Sequence, residues 1–432
     1  MPEIHDCLGD PNMDTIEKAV SKIVIMLDKH NYSSKALYVA QEFLIDELLD
    51  LENELGKCKS NAKRLRKKAS EIAQNAKQKY GNIPSSVKEK LGSIYREADN
   101  NEHIVEVLKH GRWLLRYVGD GIAWHAFGHN RRNIRALGSK QPIRSFSRPK
   151  GIDYERRSFR AIRHLGREWF PLMHDLTNCI RTADFSVFRD EQLYRIFELK
   201  VHKSKSRKKK NDKTNDWKSS RAIRQQDRLE RIFKFMESKD LGYLDPSLEG
   251  GKALDSRTFE RHNFEIISKI MQNARSDGYG FESPEPGILY FAWDISNNPI
   301  DKGLKLAAEK HPEIFSSTFT FRSLNPRFEE LHQSMPVTAM EYSAQDILDL
   351  LFGRIGINTF LNFNILENEC KRNEIPLIVQ GQPKGGFSIV VDTKPYKGEI
   401  REGLWNRLML EALSLESFID LVKSIVGEYS KE

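Results

Sequence analysis

At 432 residues the chain is longer than one small domain, and two or three are expected. Apolar residues make up 39% and aromatics 10%, which excludes a disordered chain and supports real cores. The formal charge of +8 and pI of about 9.0 point to a polyanionic partner and say nothing about fold.

The first residues, "MPEIHDCLGDPNMD", hold no basic segment followed by an apolar one, and mean hydropathy is -0.58. The longest apolar runs fall short of a membrane span. The chain therefore reads as soluble, without a signal peptide or a membrane partner. Cys7, Cys58, Cys179 and Cys370 are scattered with no CxxC pair. That argues against a disulfide framework or zinc ribbon and suits a reducing, cytoplasmic location.

The chain begins helical. Leu44, Leu48, Leu51 and Leu55 recur at helical spacing after Leu37, and a basic helix, "GKCKSNAKRLRKKASEIAQNAKQKY", follows. "GNIPSS" at 81–86 is a break with capping residues available, and a further helix is expected over about 101–118. The polar connection "GSKQPIRSFSRPKGIDY" leads to a helix over about 153–170, then short strands through Val201. A basic loop, a helix over about 219–237 and a strand "GILYFAWDI" at 287–295 come next. The remainder reads as mixed, with helices at about 343–353 and 403–426 and a strand at "GFSIVV". The division is a helical region over 1–145, a core over 146–298 and a smaller α/β module over 299–432.

"LYRIFELKVHKSK", from Leu193 to Lys205, sets a carboxylate and an ammonium into an apolar strand. Alternation puts Glu198 and Lys200 on one face and Phe197, Leu199 and Val201 on the other. A hairpin turning near Arg189–Gln192 pairs positions whose numbers sum to roughly 382, so Asp184 falls opposite Glu198 or one residue away. Two carboxylates this close raise each other's pKa unless a cation lies between them. A hard divalent ion, Mg²⁺ or Mn²⁺, resolves the repulsion. Lys200 could then position or deprotonate a water.

Asp184 with Glu198-Leu199-Lys200 resembles the PD-(D/E)xK nuclease superfamily, with Ala183 where the family name has proline. The resemblance covers roughly residues 150–295. It implies a restriction-endonuclease-like αβββαβ core in a mixed α+β or α/β protein. It also implies metal-dependent endonuclease hydrolysis of phosphodiester bonds, in DNA before RNA, with a role in defence against phage or foreign DNA as the common setting. Two other (D/E)xK tripeptides, Glu237-Ser238-Lys239 and Asp392-Thr393-Lys394, lack the upstream strand carrying a lone aspartate.

Two helices extend the resemblance. In "DYERRSFRAIRHLGREWF" the apolar face is Phe159, Ile162, Leu165 and Trp169; Glu155 lies near its centre and Glu168 about 115° away. Glu155 is thus either a further metal-site acid or a buried partner for a nearby arginine. In "SSRAIRQQDRLERIFKFM" the apolar face of Ile223, Leu229, Phe233 and Met236 contains Gln226 and nearly contains Gln225, either of which matches the family's site glutamine. Lys203, Lys205, Arg207, Lys208, Lys209 and Lys210 in the basic loop, with Arg160 and Arg163 in a stripe that includes Arg156 and Arg167, are candidates for phosphate contact. Trp217 could stack on a base.

His125 and His129 stand at metal-ligand spacing, but without a third ligand they read as structural or solvent-facing. No GxxxxGK[ST] or GxSxG occurs. The rival reading is a nuclease-like fold that holds nucleic acid or a partner without cutting. The N-terminal helices are the candidate surface for a homodimer or a partner protein.

Overall fold

The computed structural model describes residues 10–138, 149–199, 216–244, 260–296, 300–316, 319–326, 334–375, 377–381, 387–393, 396–400 and 402–429. Four helices open the chain: α1 (Pro11–Lys29), α2 (Ser34–Tyr80), α3 (Ser85–Ala126) and α4 (Arg131–Leu137). Ser33 caps α2 by accepting from the Ala36 N–H, and Gly81, at φ 71, ends it in the left-handed conformation that glycine adopts without strain. Pro84 then starts α3, so the expected break is present, but the helix expected over 101–118 is the middle of a 42-residue one. The two long helices pack as an antiparallel hairpin.

The second half of α3 is apolar nearly all round and buried, with Trp113, Leu114, Tyr117, Val118, Ile122 and Trp124 against neighbours on several sides. Gly119 lets the turn at His174–Leu176 approach the helix, since a Cβ there would lie 1.9 Å from the Leu176 carbonyl oxygen.

The next elements are α5 (Pro149–Arg163), β1 (Trp169–Met173), β2 (Phe185–Arg189), β3 (Gln192–Phe197) and α6 (Asp216–Ser238). The strands form an antiparallel sheet in the order β1-β2-β3. Helix α5 ends earlier than expected. Arg163 donates from Nη1 to the carbonyls of Arg167 and Trp169, the chain reverses through Gly166, and Trp169 opens β1 instead of extending the helix face. Leu165 is consequently 64% exposed.

The hairpin register decides where the candidate carboxylates meet. Asp190 and Glu191, at φ 49 and 62, make a two-residue turn of the primed kind that matches strand twist. Arg189 pairs with Gln192 and Phe188 with Leu193, but Val187 pairs with Arg195, so Tyr194 is bulged out. From the bulge to Phe185–Phe197, partner numbers sum by one more than at the turn.

Beyond α6 come α7 (Phe264–Asp277), β4 (Tyr279–Glu285), β5 (Ile288–Asp294), α8 (Ile300–Lys310), α9 (Pro312–Phe315), β6 (Phe319–Ser323), α10 (Ala344–Leu351) and β7 (Ile355–Asn362). These strands form a second antiparallel sheet, β4-β5-β7-β6. This corrects one expectation. "GILYFAWDI" supplies β5, which pairs along both edges with β4 and β7, so it does not complete the β1-β2-β3 sheet as an αβββαβ core requires.

The chain closes with α11 (Phe363–Arg372), β8 (Leu377–Gly381), β9 (Phe387–Thr393), β10 (Tyr396–Ile400), α12 (Glu402–Leu410) and α13 (Leu415–Tyr429). The helix expected over 403–426 is thus two, parted at Ala412, which takes φ 48 beside buried Glu411. Glu411 accepts from Arg131 and Arg407 and from the Met335 N–H, joining the N-terminal helices to the last third of the chain. One hydrophobic cluster runs from Met13 to Val422 through all three regions. The protein is mixed α+β, and among the described residues no helix is long and apolar enough to cross a membrane.

Candidate active site

Asp184 leads into β2 and is 8% exposed. Its N–H donates to the Phe197 carbonyl at 2.9 Å, and its own carbonyl accepts from the His174 N–H at 2.9 Å. Oδ2 accepts from the Leu199 N–H at 2.5 Å, so the carboxylate replaces a backbone carbonyl where the strands part. These contacts bracket Glu198, and continuing the register past Phe185–Phe197 sets Asp184 opposite it. The bulge at Tyr194 accounts for this: without the extra residue, Asp184 would face Phe197.

The residue before Asp184 is Ala183, buried and at φ 67. Proline, whose ring holds φ near about −65°, could not stand there. The absence of the family's proline is therefore matched by a backbone that forbids it. A non-glycine residue in this region stores strain of about 1–3 kcal/mol, sustained because the surrounding structure over-determines it.

That determination comes from the loop between β1 and β2. Asp120 on α3, buried, accepts at Oδ1 from the N–H groups of Asn178 and Cys179 at 2.6 and 2.7 Å. Burial raises its carboxyl to about 6 against those hydrogen bonds. His174, 1% exposed, lies between the Thr182 carbonyl, 2.6 Å from Nδ1, and the Ser186 hydroxyl, 2.8 Å from Nε2. The arrangement fits Nδ1 donating and Nε2 accepting. On the other flank, the buried Gln41 side chain of α2 donates to the Pro171 carbonyl and accepts from the Met173 N–H, completing the hydrogen bonds of β1. None of these three supports was singled out from the sequence. Asp120 is a polar residue in an apolar stretch of α3, which is a signal, whereas Gln41 has Glu42 beside it and His174 has Asp175, so their burial is not legible.

Glu198 is half-buried and lines a cleft of about 680 Å³ between β3 and α6, together with Arg195, Gln226, Glu230, Lys234 and Glu237. Gln226 is exposed and donates to Glu230 Oε1 at 3.3 Å, so of the two glutamines it is placed at the cleft. The Gln225 and Trp217 side chains, Lys200, and the basic residues Lys203, Lys205, Arg207, Lys208, Lys209 and Lys210 lie outside the described residues.

Glu155 is half-buried on α5, which packs on β1. The arginines around it are engaged within the protein. Arg160 forks both oxygens of Glu42 at 3.0 and 2.8 Å, and Arg156 reaches Glu42 and Asp46, so the Arg160 hydrogen bond first, with the Arg156 one, holds the Glu42 carboxyl below its usual range. Arg163 lies over the Tyr38 ring. Arg160 and Arg163, expected on a nucleic-acid face, also link α5 to α2, with the Arg160 side chain still 50% exposed.

Among the described residues no group of three His, Cys, Asp or Glu side chains could hold a metal. The donor set at the hairpin is two carboxylates, which fits Mg²⁺, an ion that keeps several waters and takes one or two protein carboxylates. His125, half-buried, stacks on Tyr32 at 3.9 Å between ring centroids and meets His129, which is exposed, edge-on. No known protein family, curated protein or solved structure matches this chain.

Proposed function

We propose that the chain is a metal-dependent endonuclease that hydrolyses phosphodiester bonds in DNA, as its resemblance to PD-(D/E)xK nucleases implies. The observation that supports the reading is the β2-β3 hairpin: just beyond its last pair, Phe185–Phe197, buried Asp184 accepts from the Leu199 N–H, and Glu198, next to Leu199, lines a cleft. A helix, three antiparallel strands and a helix in that order support it, while the displaced fourth strand does not.

Asp184 and Glu198 would hold Mg²⁺ or Mn²⁺, with Glu155 as a further acid reached from α5. When bound, the ion supplies Lewis-acid polarisation of the scissile phosphate and stabilises the leaving oxygen. Asp184 accepts from the Leu199 N–H at Oδ2, which orients its carboxylate. Lys200 orients the attacking water and takes its proton, and Gln226 donates to it or to a phosphate oxygen. The setting carried by the resemblance is cytoplasmic defence against phage or foreign DNA.

The test is cleavage of plasmid, linear duplex and single-stranded DNA with Mg²⁺, Mn²⁺ or EDTA. Cutting that needs metal and falls about 10²–10⁴-fold in Asp184→Asn and Lys200→Ala is expected. Undiminished cutting by both variants would sink the assignment. Metal-independent binding that survives both, with no cutting by the wild type, would make this a nuclease-like binding protein.

A further inference from the structure

One strong concentration of positive charge lies in the N-terminal helices. Between residues 57 and 80, the distal half of α2, there are nine lysines and arginines and one glutamate. That half extends about 36 Å. The segment of α3 packed against it, 85–103, carries Lys88, Lys90 and Arg96 against Glu89, Glu97, Asp99 and Glu102. The basicity therefore belongs to one helix of the hairpin.

The distal hairpin stands apart from the main core. The main cluster includes α2 up to Leu55 and α3 from Val107, whereas Leu65, Ala69, Leu91, Ile94 and Ala98 form a separate small cluster. Burying that apolar stripe turns the opposite face of α2 to solvent, and Lys59, Lys63, Arg64, Lys67 and Lys68 are all exposed. Arg66 is neutralised by Asp99 and Glu102, and Lys67 is 3.8 Å from Glu71. Lys59, Lys63, Arg64 and Lys68 make no ion pair among the described residues. Lys59, Lys63 and Lys67 recur every four residues, an axial step of about 6 Å.

We propose that this face of α2 is a second, non-catalytic contact for the phosphate backbone of duplex DNA. A straight helix with a regular row of cations suits a stiff, regular polyanion. The row from Lys59 to Lys68 includes no aromatic side chain, the arm's exposed rings being Tyr80 at the end of α2 and Tyr95 of α3 under Arg66, whereas single-strand binders add stacking platforms to their basic grooves. The base of the arm is fixed to the candidate site: Gln41 bonds β1, and Glu42 and Asp46 hold α5. A duplex on the arm would thus be held at a set position relative to β1-β2-β3. The proposal takes DNA as substrate from the reading above, but binding by the arm does not require cutting.

The experiment measures binding of labelled duplex DNA by the full chain in EDTA across a salt series. It uses the wild type and a variant combining Lys59→Gln, Lys63→Gln, Arg64→Gln and Lys68→Gln. The expected result is affinity about tenfold or more weaker in the arm variant, with a salt slope shallower by up to about 0.9 for each phosphate no longer neutralised. Its circular dichroism and thermal midpoint should match the wild type. Equal affinity and slope in arm variant and wild type would overturn the arm while leaving the nuclease site standing. Arm-dependent binding with no metal-dependent cutting would support the arm and remove the nuclease reading. Binding of wild type to anionic phospholipid vesicles but not to duplex would also overturn it.

Discussion

Two of the three sheets, β4-β5-β7-β6 and β1-β2-β3, differ in how they are enclosed. Strand β7 is buried along all eight residues and paired on both edges, and its polar side chains are satisfied: Thr359 donates to the Met409 carbonyl and Asn362 to the carbonyls of Glu313 and Ile314. Strand β3 is mostly exposed or half-buried, pairs with β2, carries a bulge and borders a charged cleft. A strand enclosed by core can only hold the fold together. A strand with polar groups beside water, backed by a buried network at Asp184, has the ingredients for chemistry. Its stability comes from behind, through α3 and α2.

The comparison is best broken by substitutions that move stability and activity separately. The largest separation is expected between Ile357→Ala in β7 and Asp184→Asn beside β2. Removing the fully buried isoleucine should cost about 2–5 kcal/mol in a denaturant titration. Asp184→Asn keeps an acceptor for the Leu199 N–H and should cost about 1 kcal/mol or less while abolishing cutting. Equal destabilisation by the two would mean that Asp184 is chiefly structural.

Glu411→Ala comes next. Burial raises the Glu411 carboxyl, and the guanidiniums of Arg131 and Arg407 more than offset this and hold it below its usual range. Truncation removes the carboxylate shared by Arg131 and Arg407, leaving Arg407 to Glu260, and should cost about 3 kcal/mol, with the N-terminal helices and the C-terminal region losing protection together in hydrogen exchange. Independent unfolding of the two would show that they are separate domains.

The smallest effect is on acid stability. Burial holds His125 down at about 3 and His110 at about 4, below the usual value near 6.5. Folded-state values that are depressed mean stability present above about pH 6.5 and lost as pH falls through that window. Asp120, raised to about 6, acts with the opposite sign, losing stability as pH rises from its ordinary carboxylate range toward 6. The two histidines should outweigh it, so the thermal midpoint should fall between pH 7 and 5. His125→Gln should flatten that fall; an unchanged slope would place the acid sensitivity elsewhere.

Local pattern determined much of this protein. The leucine spacing of α2, the Gly81–Pro84 break and the amphipathic stretch of α6 depend on neighbours within a few residues, and all are present, whereas the buried residue of β3 is Ile196, not the expected Phe197. The hairpin around Asp190–Glu191 likewise brought Asp184 to within one residue of Glu198, because a short loop limits strand pairing to a few registers.

What tertiary structure decided has a common cause. The bulge at Tyr194, which sets the final register, places that ring edge-on against Trp169, 25 positions earlier in the chain, with centroids 5.1 Å apart. The end of α5 at Arg163, the split between α12 and α13, and the left-handed Ala183 each depend on a partner distant in sequence or on a backbone carbonyl that no side-chain pattern reveals. The sheet joined by β5 is the same kind of choice, since an apolar run shows that a strand will be buried but not beside which neighbours. Sequence determined which residues carry charge and which carry core. Which charges became bolts, as Arg160 did on Glu42, and which were left facing water, as along α2, was settled by long-range packing.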